Sequence, residues 1–597
     1  MKKKAFTYLF FFAIPFLAFA QWADNPYENT MVNDSTGLQA VPMVVTNSSG
    51  ESYISWYSAT EGFRFDVFLQ KFDKNGLKLW DKGGLLISNH ATQTWVTTYD
   101  MILDNDENVV LVTQDQRTGN SNVFAYKISP EGNFLWGDDG LQLSNTTGFD
   151  PSPKIALADN NDVVFMWDDN PADTLLNSTV IVKRVSQDGN ILWETNLADT
   201  AYDFILPQIL HTENDDFIVS WMTKSNLRDT IPGQINWMHV FTQKLDLDGN
   251  PVWENNIRID SGQLMSYLSL HTTPYLNSDG EGGAYVMWQS FYSLQQEGGK
   301  PTTYVNRLYE NGSLWNPNGR SVSRLLNNYH TGASMAYLSE VDKLMLAWTE
   351  YHYDAAELTD CFGIYGQLFG SDGQYLWDEN GKEIIPLNCT RDTSYFNLLL
   401  RESPDNNAAL VYQKDFFSIN EGDTAIRDHV LSVAIDTDGN FVWYPNIVPL
   451  SLTSSYKLHA FMGNLIDNQW VIAWEDNIEN PDNYFYTGIY AQNLGVDGEI
   501  GPLAIHTQPE KQLKNITAFP NPSADQIQIE YSLPADGLVE IDLFDVNGKM
   551  VKTIYSEEKR SGNHDFVLQI ADLKPGVYFL RIQQNGTFGF HKIIRIK

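Results

Sequence analysis

The sequence of 597 residues has little of several things that would identify a function directly. It contains two cysteines, and it has 39 basic residues against 75 acidic ones, so the formal net charge is −36 at pH 7. This charge argues against nucleic acid and anionic membrane surfaces as partners, because both attract basic patches. After residue 20, no apolar run is long enough to cross a membrane, so no transmembrane segment is expected in the mature chain.

Catalytic motifs are also missing. The 11 histidines form no His-Glu-x-x-His pair, glycine-rich phosphate loops are absent, and Gly332 to Ala336 is only part of a nucleophile elbow. Acidic residues are abundant, but the carboxylate pair of a glycosidase is recognised by its separation in space. The sequence therefore predicts no catalytic residue, no metal ligand and no cofactor.

The first 20 residues have the features of a secretory signal peptide. Lys2, Lys3 and Lys4 precede an apolar, Phe-rich stretch, which ends at Ala18-Phe19-Ala20 before Gln21. This order of a basic region, an apolar region and a small-residue cleavage site predicts removal of residues 1–20 during export. No cysteine follows the cleavage site to carry a lipid.

A short hairpin motif recurs along most of the chain. In each copy a turn glycine follows an Asp, Asn or Glu residue, and seven of the eight copies have a Trp three or four residues later. The glycines are separated by 56 to 66 residues, and so steady a period indicates a repeat architecture. The turn glycines are Gly76, Gly132, Gly189, Gly249, Gly312, Gly373, Gly439 and Gly498.

Each repeat of about 60 residues has room for four strands, which is the size of a propeller blade. Apolar runs such as Val163–Trp167 and Phe217–Trp221 precede the hairpins and predict strands covered on both faces. The sequence therefore predicts an all-β, eight-bladed β-propeller over residues 21–504. Trp22 resembles a blade Trp with no blade before it, and the eighth copy lacks its own Trp. We therefore expect the N-terminal strand to close the last blade.

Two further features of the repeat region leave alternatives open. The Asp-x-Asp-Gly turns at Asp246–Gly249 and Asp436–Gly439 are compatible with calcium, but they lack the downstream Glu of a complete calcium loop and also fit ordinary hairpin turns. Cys361 and Cys389 lie where the hairpin around Gly373 would bring them close together. They are predicted either to form a disulfide or to remain two buried thiols.

Longer loops between the second and third strands, such as Thr349–Asp360 and Asp415–Asp428, are expected together on one rim of the propeller. Five repeats place a carboxylate near the end of the second strand, and such a group of acids on a rigid scaffold would bind a cation or a sugar. The alternative is that these acids are solvated strand ends on an acidic protein. The five candidate binding residues are Asp115, Asp168, Glu350, Asp415 and Glu475.

The period ends before a polar linker at 505–515, and residues 516–597 follow a different pattern. Short alternating strands separated by Gly and Pro turns predict a small β-sandwich. The segments Phe519–Pro522, Leu543–Lys549, Leu573–Leu580 and Lys592–Lys597 resemble the C-terminal sorting domain of the Bacteroidota type IX secretion system. The resemblance implies that this machinery is a partner and that the protein passes through the periplasm to the cell surface or the medium.

The sequence thus favours an exported, monomeric propeller protein. Its main predicted function is non-enzymatic binding or adhesion to a glycan or a protein through the long-loop rim. The alternative is a polysaccharide-degrading hydrolase or lyase that uses carboxylates on the same rim, because propellers host both kinds of function. A closed pocket on that rim would favour the enzyme, and a flat face would favour the binding module.

Overall fold

A computed structural model describes most of the chain outside residues 1–20 and the linker 505–515. The predicted signal peptide and linker therefore lie outside the described residues. The structure describes residues 21–33, 37–59, 65–92, 99–173, 175–225, 237–260, 264–265, 274–291, 300–325, 327–354, 356, 358–390, 393–420, 423–483, 485–502, 516–533, 536–545, 550–584 and 587–596.

The chain divides into two compact units, Met1–Pro502 and Leu503–Lys597. Both are built from antiparallel strands, and one short 3-10 helix, Ser339–Val341, occurs among the described residues. In the part of the chain that the structure describes, no helix is long and apolar enough to cross a membrane.

The first unit contains eight antiparallel sheets, here called sheets 1 to 8. Sheet 1 comprises β2 to β5, sheet 2 β6 to β9, sheet 3 β10 to β13, sheet 4 β14 to β18, sheet 5 β19 to β22, sheet 6 β23 to β26, sheet 7 β27 to β30, and sheet 8 β31 to β33 with β1. The first seventeen strands are β1 (Thr30–Met31), β2 (Gln39–Thr46), β3 (Ser52–Ala59), β4 (Phe65–Phe72), β5 (Leu85–Thr92), β6 (Asp100–Leu103), β7 (Val109–Asp115), β8 (Asn122–Ile128), β9 (Leu141–Gln142), β10 (Lys154–Leu157), β11 (Val163–Asp169), β12 (Thr179–Val185), β13 (Ile191–Leu197), β14 (Tyr202–His211), β15 (Phe217–Ser225), β16 (Trp237–Leu245) and β17 (Ile257–Arg258). The remaining strands of this unit are β18 (Leu264–Met265), β19 (Tyr275–Ser278), β20 (Ala284–Phe291), β21 (Pro301–Leu308), β22 (Arg320–Ser321), β23 (Tyr329–Leu338), β24 (Lys343–Asp354), β25 (Thr359–Gly370), β26 (Lys382–Asn388), β27 (Thr393–Ser403), β28 (Asn407–Asn420), β29 (Asp423–Ile435), β30 (Val448–Ser455), β31 (Lys457–Met462), β32 (Gln469–Asp476) and β33 (Gly488–Gly495).

The hydrophobic core of this unit lies between consecutive sheets. Apolar runs without alternation bury both faces of the second and third strands, and every residue of β7 and β8 is buried. Seven clusters of buried side chains join sheets 1 to 8 in order, and an eighth joins sheet 8 to sheet 1. Contacts between the first strands follow the same order and return from β31 to β2.

The segment that starts with Trp22 takes part in this last contact. Thr30 pairs with Ala491 and Met31 with Tyr490, so β1 is the fourth strand of sheet 8. Trp22 is buried, stacks on Phe72 of sheet 1 and donates its indole N–H to the Lys74 carbonyl at 3.1 Å. The first residues of the repeat region therefore join sheet 8 to sheet 1.

The same indole contact recurs between other sheets. In each case the Trp of one hairpin donates to the carbonyl two residues before the turn glycine of the next sheet, at 2.6 to 3.1 Å. The pairs are Trp136 with Gln187, Trp193 with Leu247, Trp253 with Glu310, Trp315 with Ser371, Trp377 with Thr437 and Trp443 with Val496. The turn glycines have φ near 80°, as at Gly189 and Gly249, and a Cβ at either position would contact the indole ring.

Two of the predicted long loops are largely strand instead. Thr349–Asp360 is mostly taken up by β24 and β25, which are paired as far as Asp354 and Thr359. Asp415–Asp428 lies within the hairpin of β28 and β29, which are paired out to Asn420 and Asp423. The polar composition that predicted loops is compatible with strands here, because most of these residues are paired across a long antiparallel ladder.

Cys361 and Cys389 form a disulfide, with their Cα atoms 4.0 Å apart. Cys361 lies on β25, and Cys389 immediately follows β26, the next strand of sheet 6. This resolves the choice between a disulfide and two free thiols that the sequence left open. The bond closes a loop that includes the hairpin around Gly373.

The second unit has a three-stranded and a four-stranded antiparallel sheet. Apolar side chains from both sheets form one hydrophobic cluster, in which Ile529, Ile541 and Leu580 are fully buried. The strands are β34 (Thr517–Phe519), β35 (Gln526–Leu533) and β38 (Gly562–Gln569) in the smaller sheet, and β36 (Gly537–Asp545), β37 (Met550–Lys559), β39 (Gly576–Gln584) and β40 (Thr587–Arg595) in the larger one.

Candidate functional site

The five predicted carboxylates all lie on second strands, namely β7, β11, β24, β28 and β32. Four of them are at most 3% exposed: Asp115, Asp168, Glu350 and Glu475. They are therefore not the solvated strand ends of the alternative interpretation. Burial obliges each carboxylate to find hydrogen-bond donors inside the protein.

Glu475 and Asp168 receive backbone N–H groups from the first strand of the next sheet. Glu475 Oε1 accepts from Val41 at 2.7 Å, and Asp168 Oδ2 accepts from Leu206 at 3.1 Å. Val41 and Leu206 lie in β-bulges and have φ of 52° and 54°. These carboxylates bind bulged backbone across a sheet boundary. Burial raises the pKa of Asp168 well above its usual range.

Asp115 and Glu350 are also occupied by protein donors. Asp115 forms an ion pair with Arg117 at 2.6 Å. Glu350 accepts from Trp348 Nε1 at 2.8 Å and from Asn328 Nδ2 at 2.5 Å. These contacts within the protein are enough to explain why a carboxylate lies at each of the two positions.

Asp415 differs from the other four because it lines a cavity. The cavity has a volume of about 1270 Å³ and lies along β19, β23 and β27, the first strands of sheets 5, 6 and 7. Asp415 Oδ2 accepts from Ser394 Oγ at 3.2 Å. No N–H or hydroxyl group among the described residues donates to its buried Oδ1, and the same is true of Asp168 Oδ1. The structure thus separates one of the five predicted carboxylates from the rest.

Asp428 is the partner of Asp415. The two residues face each other on β28 and β29, and their carboxyl groups are close enough to influence each other's protonation. Asp428 is fully buried, and its Oδ2 accepts the backbone N–H of Lys457 at 2.7 Å. Burial, then the hydrogen bond and charge of Asp415, raise the pKa of Asp428 to about 9, and burial also raises the pKa of Asp415. The raised pKa values favour one proton on this pair of carboxyl groups at neutral pH.

Aromatic side chains dominate another part of the cavity lining. The ring centroids of Tyr329 and Tyr351 are 4.8 Å apart, and those of Phe362 and Tyr351 are 4.9 Å apart. The Tyr351 hydroxyl donates to Asp360 at 2.7 Å, and this bond raises the pKa of Tyr351 to about 12. Trp288, Tyr275 and Tyr395 also line the cavity. Aromatic faces beside polar groups suit the mixed apolar and polar surface of a sugar.

Sequence reasoning missed Asp428 and the aromatic lining. Asp428 appeared there only as the end of a supposed loop, and its position opposite Asp415 depends on the register of β28 and β29. The aromatic residues come from three different repeats and follow no shared spacing. Aromatic residues in an apolar segment predict a buried core. Only the fold shows which of them face a cavity.

Two groups of acidic residues could in principle bind a cation. Among the described residues, Asp159, His211 and Asp215 place ligand atoms within 4.8 Å of one another, but His211 Nε2 already hydrogen-bonds Asp215 Oδ1 at 2.8 Å. In the Asp-x-Asp-Gly turns, Asp246 and Asp436 accept the backbone N–H groups two and four residues later. These bonds are those of ordinary Asx turns.

The comparisons with known proteins first concern the second unit. Residues 517–597 match the model of the secretion system C-terminal sorting domain. This all-β chain therefore carries a sorting domain that directs export. It is a substrate of the type IX secretion system, and so a secreted or outer-surface protein.

No curated protein matches the chain in sequence. Among solved structures, a polysaccharide lyase of family 25, an ulvan lyase bound to -[GlcA(1-4)Rha3S]-, is 11% identical with a TM-score of 0.39, over 67% of this chain and 95% of that one. An α-L-arabinanase of Penicillium chrysogenum is 10% identical with a TM-score of 0.32, over 58% and 93%. An acylaminoacyl peptidase of Pyrococcus horikoshii is 10% identical with a TM-score of 0.35, over 77% and 59%. Likenesses at this level carry no argument for a shared activity.

Proposed function

We propose that residues 21–504 form an eight-bladed β-propeller, closed by the N-terminal strand, and that residues 516–597 form a sorting sandwich. The eight sheets, the eight clusters between consecutive sheets and the return of contacts from sheet 8 to sheet 1 support the propeller. A core shared by two sheets supports the sandwich. In this architecture the cavity opens among the first strands of three neighbouring blades.

The cavity binds a polysaccharide. Its aromatic side chains offer flat apolar faces to sugar rings, and Asp360 and Asp415 offer acceptors to sugar hydroxyls. About 1270 Å³ is enough for several sugar units, because ligand pockets are typically a few hundred to a thousand Å³. The concave shape of the site favours binding of a glycan chain over adhesion through a flat surface.

The Asp415–Asp428 pair favours cleavage of the bound chain over binding alone. A general acid has to carry a proton at neutral pH, and a buried carboxyl pair that shares one proton meets this requirement. Asp415 would transfer the shared proton to the glycosidic oxygen as the C–O bond breaks. A water molecule would then attack the anomeric carbon, and the proton it loses would restore the pair. The position of Asp415 on the wall of the cavity, opposite the buried Asp428, is the observation that carries the proposal of a polysaccharide hydrolase.

A polysaccharide panel tests the proposal when both binding and new reducing ends are measured on the mature protein. We expect one class of polysaccharide to be bound and cut, and Asp415→Asn to lower the rate by about a hundredfold or more. Asp436→Asn is the matched control, because Asp436 makes only an exposed turn in the same sheet. Binding without new reducing ends leaves the binding module predicted from the sequence as the function. If no polysaccharide is bound, the cavity is neither the active site of a polysaccharide hydrolase nor a binding site for polysaccharide.

Export is tested separately. A chain that ends at Gln512 lacks the sorting domain and should accumulate in the periplasm, whereas the complete chain should appear at the cell surface or in the medium. Equal amounts of both chains outside the cell would contradict the role of residues 516–597. This result would not affect the proposal for the cavity.

A further inference from the structure

One cation in the cavity has no counter-ion among the described residues. Arg401 lies on β27 and lines the cavity, where it is partly exposed. Its guanidinium donates to two backbone carbonyls, those of Leu400 at 3.0 Å and Met462 at 3.1 Å. Carbonyl groups satisfy hydrogen bonds but do not neutralise the charge. Burial lowers the pKa of Arg401, and no charged neighbour opposes that shift.

Several arginines in the same unit have an acidic partner. Arg117, Arg184 and Arg307 each contact an Asp at 2.6 to 2.8 Å. Such pairing is expected in a chain with 75 acidic residues against 39 basic ones, because a carboxylate is seldom far away. Among the described residues, Arg320 and Arg427 also have no ion pair, but Arg401 lines the cavity and they do not. An uncompensated charge at a cavity is unfavourable, so Arg401 needs an explanation.

Nearby acids do not supply the missing charge. Glu402 is adjacent in sequence, but its carboxylate accepts the backbone N–H of Ser339 at 2.7 Å and the Ser339 hydroxyl at 2.8 Å. Asp360 is held by Tyr351, and Asp415 by Ser394 and Asp428. A guanidinium has five N–H donors, so the two carbonyl bonds leave others free for a ligand. The cavity thus offers a cationic donor group that the protein itself does not occupy.

We propose that Arg401 binds an oxyanion on the polysaccharide, so that the ligand of this cavity is an acidic polysaccharide. This inference rests on the proposed function for the place of binding and adds the chemical class of the ligand. A planar guanidinium pairs with both carboxylates and sulfate groups. The shared chemistry is therefore an oxyanion on a sugar, either the carboxylate of a uronic acid or a sulfate ester.

The negative charge of the rest of the chain makes the contribution of Arg401 to binding easier to detect. A formal net charge of −36 opposes nonspecific attraction of any polyanion. Affinity for an acidic polysaccharide must then come from a local cationic site, and loss of that site should be visible in a single variant.

The test compares the mature full chain with Arg401→Lys and Arg401→Gln, using polygalacturonate, dextran sulfate and uncharged dextran as probes at constant ionic strength. We expect the unmodified chain to prefer one acidic probe, Arg401→Gln to weaken its binding by about tenfold or more, and Arg401→Lys to weaken it less. The preferred probe distinguishes carboxylate from sulfate. Preference for dextran, or equal binding of acidic probes by all three chains, overturns the inference while the glycan-binding cavity stands.

Thermal unfolding with small anions tests Arg401 even if no polysaccharide binds. Melting temperatures are recorded with sodium galacturonate, sodium sulfate and, as controls, galactose and sodium chloride. We expect galacturonate or sulfate to stabilise the unmodified chain and not Arg401→Gln. If Arg401→Gln itself melts much lower without any ligand, and anions affect both chains equally, then Arg401 only links β27 to β31 and the inference is wrong.

Discussion

The indole contacts between sheets and the cavity on the first strands are built in opposite ways. At the indole contacts, successive sheets repeat one arrangement, in which a Trp donates to a carbonyl two residues before a turn glycine. In the cavity, sheets 6 and 7 contribute equivalent stretches of their first strands, but the residues at these positions differ. The repeated indole contacts hold consecutive sheets together. A change at any one of them would weaken the junction between two sheets. The part without repetition is free to vary, and it is where we place the function.

The largest effect should follow from removing Trp22, because it joins sheet 8 to sheet 1. Trp22→Ala is expected to cost about 4 kcal/mol of unfolding free energy through lost burial, measured by calorimetry and denaturant unfolding. Tyr27→Ala is the control, since Tyr27 belongs to the same segment but is 64% exposed. Equal melting temperatures for the two variants would contradict the closure of the propeller by this segment.

The disulfide gives the next largest effect, and it lies in sheet 6, which lines the cavity. Replacement of both Cys361 and Cys389 by Ser should cost about 3 kcal/mol, because the bond closes a loop with a sequence separation of 28 residues. A reductant should lower the melting temperature of the unmodified chain and leave the double variant unchanged. An effect of reductant on the double variant would show another cause.

The carboxyl pair should make stability depend on pH. Asp428 has a pKa of about 9 in the folded chain, against about 3.9 in an unfolded one. The folded state therefore keeps a proton that the unfolded state releases, and this stabilisation is lost as pH rises from about 4 to about 9. Asp428→Asn lacks this term, so its melting temperature relative to the unmodified chain should rise between pH 5 and pH 9. A constant difference would contradict the shared proton.

The smallest effect concerns the aromatic lining. Tyr351→Ala should weaken binding of the preferred oligosaccharide by about tenfold, because one stacking face is lost. Tyr351→Phe keeps the ring and loses only the bond to Asp360, so it should bind nearly as well. Similar losses in both variants would indicate that the hydroxyl, and not the ring, contacts the sugar.

The contrast between the repeated indole contacts and the varied cavity also explains which features the sequence predicts and which it does not. Period, turn glycines and Trp positions are local signals, and they predict the sheets and the pairing of the N-terminal strand with the last sheet. The pairing of Asp415 with Asp428 depends on the register of a long hairpin, and the position of Arg401 beside Met462 depends on the meeting of sheets 7 and 8. Composition does not encode such distant contacts. Four of the five predicted carboxylates proved to be occupied inside the protein, because a carboxylate near a strand end serves structure as readily as binding.

The most direct test of the account is a crystal structure of Asp415→Asn with an acidic oligosaccharide bound, since this variant should bind without cutting. The account predicts sugar rings in the cavity against Tyr329 and Tyr351, with a glycosidic oxygen within hydrogen-bond distance of residue 415 and an oxyanion on Arg401. Sugar bound elsewhere on the protein, with this cavity empty, would contradict it.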